Sequence, residues 1–81
     1  MNTELARDLI VTALLDIVPD ADTAALTDST DIRQALELDS LDFEQLVEAL
    51  SSGAHFRIDE TDYGRLRTMG SAVEFIAARG E

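Results

Sequence analysis

The stretch Leu36-Glu37-Leu38-Asp39-Ser40-Leu41-Asp42-Phe43-Glu44-Gln45-Leu46-Val47-Glu48-Ala49-Leu50 decides how this chain folds. Asp39 suits a helix N-cap, because its carboxylate can accept hydrogen bonds from the free backbone N–H groups of a first turn. Asp42 adds negative charge where the helix macrodipole favours it. Phe43, Leu46, Val47 and Leu50 then recur at i, i+3, i+4 and i+7, one apolar stripe on a 3.6-residue period. Leu41, Glu44, Gln45 and Glu48 fall on the opposite face, which is acidic apart from the leucine. The pattern predicts a helix from Ser40 to about Leu50, ended by Ser51-Ser52-Gly53. Ser40 sits in its first turn with the side chain towards solvent. Flanked by Asp39 and Asp42, with no base to activate it, this serine is a poor nucleophile but an accessible hydroxyl for another protein to modify.

Upstream, Leu5, Leu9, Ile10, Ala13, Leu14 and Ile17 predict an amphipathic helix to about Val18, with Thr3 as N-cap and Glu4 in the first turn. Val11 and Leu15 widen its apolar side, and Pro19 breaks it. Residues 19–38 form a connection too long to stand unanchored in a small domain. Leu26 and Ile32 are the expected anchors, and Asp31–Leu36 the expected turn of helix within it. Downstream, 54–58 reads as an apolar connector, since a lone strand would have no partner. A short helix follows over about Asp62–Leu66, weakened by Gly64. Gly70 or Ser71 opens a last helix with Ala72, Val73, Phe75, Ile76 and Ala77 on its buried side. The expected fold is all-α: one domain over 1–81, a small bundle of three principal helices plus one short helix, with a long loop between the first and second helices.

Composition limits the function independently. Eighty-one residues with 46% apolar content supply one small core, which buries only about 60–65% of the unfolded surface. Cysteine is absent, so the polypeptide has no disulfide and no thiol of its own. No apolar run approaches the ~18 residues of a membrane span, and Met1-Asn2-Thr3-Glu4 lacks a basic leader segment; the cytoplasm is the expected location. The net charge is −11, without a single lysine. Such a charge argues against nucleic acid or an anionic membrane as partner. It is lopsided: residues 1–50 hold 12 acids and 2 arginines, net −10, and residues 51–81 hold 5 acids and 4 arginines, net −1. A field of this kind steers basic partners towards the first part of the domain.

Catalytic and metal chemistries find no support. A calcium loop over Asp28–Asp39 has Thr30, Ile32 and Arg33 where oxygen ligands or glycine are wanted. Ser40 with His55, the sole histidine, lacks the Gly-x-Ser-x-Gly turn and an oxyanion hole. Zinc lacks cysteines and further histidines, and no glycine-rich phosphate loop is present. The expectation is that the chain is not an enzyme but carries something on which enzymes act.

Asp39-Ser40-Leu41 followed by an amphipathic acidic helix resembles the Asp-Ser-Leu motif of acyl carrier proteins. Leu26-Thr27, Ile32, Leu36, Ile58-Asp59-Glu60 and Thr68-Met69 fall at that family's spacing, so the resemblance covers nearly the whole chain, most securely from Leu26 onward. It implies a 4′-phosphopantetheine arm on Ser40, with Asp39 and Leu41 as its neighbours in the attachment motif. Acyl groups of fatty acid, polyketide or related specialised biosynthesis would ride on the arm as thioesters and shelter in the apolar interior. It also implies a phosphopantetheinyl transferase and acyl-loading, condensing or acyl-transfer enzymes as partners, and a monomer as the working state. On the residues themselves, Asp39, Asp42, Glu44 and Glu48 form an acidic strip beside Ser40 and Leu41 that is expected to dock on basic patches of such enzymes. The chain departs from the family pattern at Glu37, where glycine is usual, and at Glu44 and Glu48, often apolar. Gln45, Ser51 and Ser52 stand at common carboxylate sites, and Asp59 where proline is frequent. An aminoacyl or peptidyl carrier, or an unmodified acidic interaction module, remains open on the residues alone.

Overall fold

The computed structural model describes residues 1–80 and contains no β-strand among them. Three α-helices make the bundle: α1 (Thr3–Ile17), α3 (Ser40–Ala54) and α4 (Met69–Arg79). A four-residue α2 (Ile32–Ala35) and a single 3₁₀ turn (Thr23–Ala25) lie in the long connection, and a 3₁₀ helix (Glu60–Leu66) precedes α4. The expected all-α bundle is therefore the observed one, the short third helix being 3₁₀ rather than α.

The core forms where the apolar stripes of α1, α3 and α4 face one another. Ile10 and Leu14 of α1, Leu46 and Leu50 of α3, and Met69 and Ile76 of α4 are all but inaccessible. No polar or charged residue is buried among the described residues. The domain thus rests on the hydrophobic effect, at about 25 cal/mol per Å² of apolar surface removed from water. Leu5 departs from its expected place in the stripe and is 56% exposed. Ala6, Ile10 and Leu14, spaced i, i+4 and i+8, set the buried line of α1, and Leu5 lies one residue to its side.

Three helix boundaries differ from expectation for local reasons. Asn2, not Thr3, caps α1, its Oδ1 accepting from Leu5 N at 2.8 Å. Thr68 caps α4 by accepting from Ser71 N at 3.3 Å, so that helix begins at Met69 rather than Gly70 or Ser71. Helix α3 runs through Ser51, Ser52 and Gly53 to Ala54, because Ala54, four residues beyond Leu50, continues the buried stripe. Gly53 serves there as a close-approach site: a Cβ on it would collide with Leu9 of α1. The helix stops at His55, whose backbone is left-handed (φ 61°, ψ 38°), a common helix ending.

Leu26 and Ile32 anchor the long connection as expected, at 8% and 1% exposure. A short antiparallel backbone pairing adds to them. Ile32 N donates to Arg67 O (3.0 Å), Met69 N to Thr30 O (3.1 Å) and Gly70 N to Asp28 O (2.9 Å). A Cβ on Gly70 would lie 2.8 Å from that of Asp28, so only glycine lets the loop lie this close. The pairing ties the loop before α3 to the start of α4 and places α2 beside the first turn of α3.

Glu37 joins α2 to that turn with a left-handed backbone (φ 52°) and an exposed side chain. A residue with a Cβ costs about 1–2 kcal/mol there, whereas glycine adopts the conformation freely. Glu37→Gly should therefore stabilise the domain by about 1 kcal/mol, raising Tm by roughly 4–8 °C for a domain of this size. A thermal melt showing no rise would mean that the turn relaxes without cost.

Candidate functional site

Ser40 is the first residue of α3, exposed, in a turn held by a reciprocal cap. Asp42 N donates to Asp39 Oδ1 at 2.8 Å, and Asp39 N donates to Asp42 Oδ2 at 3.3 Å. This capping box satisfies two otherwise free backbone donors. It also engages both carboxylates beside Ser40 in holding the helix end. The sequence identifies Asp39 as the cap; the structure adds that Asp42 bonds back to Asp39, beyond favouring the dipole.

The serine is displayed and not activated. His55 caps the opposite end of the 15-residue α3, which at 1.5 Å rise per residue puts it about 22 Å from Ser40 along the axis. No group of three or more metal-ligating side chains occurs among the described residues.

A cleft of about 500 Å³ opens beside Ser40. Asp31, Arg33 and Gln34 line it from α2 and its cap, Phe43 and Glu44 from α3, and Tyr63, Gly64 and Arg67 from the 3₁₀ helix and its end. Phe43 and Tyr63 meet edge to face, with ring centroids 5.2 Å apart at 80°, a favoured aromatic geometry. The Arg33 guanidinium carbon lies 4.8 Å from the centre of the Phe43 ring, within cation–π range. Arg67 Nε reaches Asp31 Oδ2 at 3.3 Å. The Gln34 backbone N–H holds the Asp31 carboxyl below the ordinary carboxylate range, opposed by partial burial and assisted by Arg67.

Ion pairs among the described residues involve Arg7, Arg57, Arg67 and Arg79, which leaves Arg33 and Arg65 without a carboxylate partner there. Arg33 is thus the uncommitted cation of the cleft. Of this lining the sequence marks Ser40 and Glu44 as site residues; it marks Phe43 only as part of the buried stripe and does not mark Asp31, Arg33, Gln34, Tyr63, Gly64 or Arg67 as site residues. They converge only because the Asp31–Thr68 bridge brings α2 against the 3₁₀ helix, a pairing no local pattern announces.

The remaining site residues lie on the outer face of α3. Leu41 is 69% exposed, and Glu44 and Glu48 share its exposed side at i, i+3 and i+7. Asp39 is exposed, whereas Asp42 is half-buried; with both carboxylates engaged in the cap, Glu44 and Glu48 are the free acids of this strip. Among the described residues no helix is long and apolar enough to cross a membrane. The fold and site define a small acidic helical domain that displays a serine at a fixed helix end. No family model and no curated protein matches the chain.

Proposed function

We propose that this chain is an acyl carrier, not itself an enzyme, that holds acyl intermediates as thioesters on a 4′-phosphopantetheine arm at Ser40. The observation that carries the reading is an exposed, unactivated hydroxyl on the first residue of a firmly capped helix, in an Asp-Ser-Leu setting and next to an open cleft. Such a hydroxyl fits covalent attachment by a separate enzyme. In that step Ser40 Oγ attacks the pantetheine-side phosphorus of coenzyme A. The bond to adenosine 3′,5′-bisphosphate breaks, and the hydroxyl proton passes to a base of the transferase. Once attached, the arm supplies the thiol that the cysteine-free chain lacks. Asp39 and Asp42 fix the first turn so that Ser40 is offered in one orientation, and the exposed Leu41 beside it gives the transferase an apolar contact.

The test is intact mass after incubation with coenzyme A, Mg²⁺ and several transferases of broad specificity. The wild-type chain should gain one phosphopantetheinyl group. A chain that none of them modifies would favour an acidic module whose Ser40 merely begins a helix.

The exposed acids suit a docking role towards Arg or Lys of the transferase and of acyl-handling enzymes. Rim charges act chiefly through association rate and its salt dependence. Glu44→Gln combined with Glu48→Gln should slow loading at low salt by about tenfold, the lower end of what electrostatic steering supplies. At high salt the difference should vanish, since the Debye length falls to about 3 Å at 1 M. Equal low-salt loading rates for the pair and the wild type would reduce the strip to a solvated surface.

A further inference from the structure

We infer that the cleft beside Ser40 receives an acyl group rich in neutral oxygen acceptors, such as ketones or hydroxyls, in preference to a plain alkyl chain; this rests on the carrier reading above. The lining sets several hydrogen-bond donors beside its apolar surface. Arg33 brings a guanidinium with no carboxylate partner among the described residues, and Gln34 and Tyr63 add an amide and a phenol. Arg67, joined to Asp31 through Nε, keeps further N–H groups. An alkyl chain laid over these groups would take them from water without replacing their hydrogen bonds, a cost that grows with each donor covered. Carbonyl oxygens would replace those bonds one for one.

Charge balance decides against an anionic cargo. The formal charges lining the cleft are Arg33 and Arg67 against Asp31 and Glu44, which sum to zero. A carboxylate entering there would meet no net positive field, and Glu44 would oppose it. Phe43 is itself buried, with Arg33 over its ring and Tyr63 packed against it, so the aromatic surface left to a cargo is that of the half-buried Tyr63. Neutral acceptors therefore match the site in hydrogen bonding and in charge.

Acceptor oxygens also occur in the arm itself, so the test separates arm from cargo. Isotope-labelled protein is prepared in four forms: unmodified, bearing the bare arm, and bearing arms with non-hydrolysable chains of equal length, one saturated and one with alternate ketones. Intact mass verifies each loading. NMR then follows the Arg33 Nε–H and the amide signals of Gln34 and Tyr63. The ketone chain should displace these signals well beyond their positions with the bare arm, and the saturated chain should leave them there. Arg33→Met, at an exposed position, and Tyr63→Phe, which keeps the half-buried ring against Phe43, should each remove most of the ketone-dependent displacement of the remaining signals without altering circular dichroism. Full displacement by the bare arm would assign the cleft to the arm, and equal displacement by the saturated chain would make it an unselective apolar site. Either result, or no displacement by the ketone chain, overturns the inference while leaving the carrier reading intact. Failure of every form to gain mass overturns the carrier reading, and the inference with it.

Discussion

Ser40→Ala should abolish attachment of the arm completely while leaving the fold unchanged. The expectation of total loss follows from the chemistry, because alanine has no oxygen to form the phosphodiester. Other hydroxyls of the chain do not substitute for it. Thr27 and Thr30 lie in the loop, their side-chain oxygens 3.0 Å apart in a mutual hydrogen bond, and Ser51 Oγ accepts from Ile58 N at the far end of α3. The expectation of an intact fold follows from position. Ser40 is exposed, and the cap is made by Asp39 and Asp42, not by its hydroxyl. Alanine is also the better helix former by a few tenths of a kcal/mol, so stability should change by less than about 0.5 kcal/mol, as for other surface substitutions. Intact mass and a urea titration on the same preparations check both halves. A variant that still gains mass would place the attachment elsewhere. A variant that fails to load and also melts early would leave loss of fold as the explanation.

What could be read in the sequence follows the physics of local pattern. The stripe Phe43, Leu46, Val47 and Leu50 fixed α3 and its buried face, and the preference of Asp39 for an N-cap fixed its first residue. Those two facts located Ser40. The expected end of α3 falls short because Ser51-Ser52-Gly53 resembles a terminator, whereas Gly53 is where the Leu9 side chain of α1 packs onto the helix. Tertiary packing there outweighed intrinsic propensity. Leu5 lies outside the core for a similar reason: a broad apolar side on α1 does not reveal which line of it faces the partners. The cleft was not legible, since its walls come from segments about 30 residues apart. The backbone pairing of Thr30–Ile32 with Arg67–Met69 unites them, together with the Arg67–Asp31 ion pair. Glu37 is intermediate: its departure from a usual glycine was visible, but its consequence needed the observed left-handed turn.

That pairing makes the long connection part of the cooperative fold, and Ile32→Ala should show it. Ile32 is 1% exposed and belongs to the same buried cluster as Ile10, Leu46 and Leu50. Truncating a side chain so placed costs about 2–5 kcal/mol in lost transfer energy and residual cavity. A domain of this length commands only about 4–12 kcal/mol in total, so the variant should lose a large share of its stability. Gln34→Ala, on the exposed side of the same α2, is the control and should fall within about 0.5 kcal/mol of wild type. Urea midpoints at constant slope give both values. If Ile32→Ala behaves like Gln34→Ala, the loop is a loose surface strap that opens independently of the core. If instead it lowers the midpoint strongly, the segment carrying Asp31, Arg33 and Gln34 is held by the core itself. The wall of the cleft beside Ser40 would then be as stable as the bundle, as the proposed binding of a tethered group calls for.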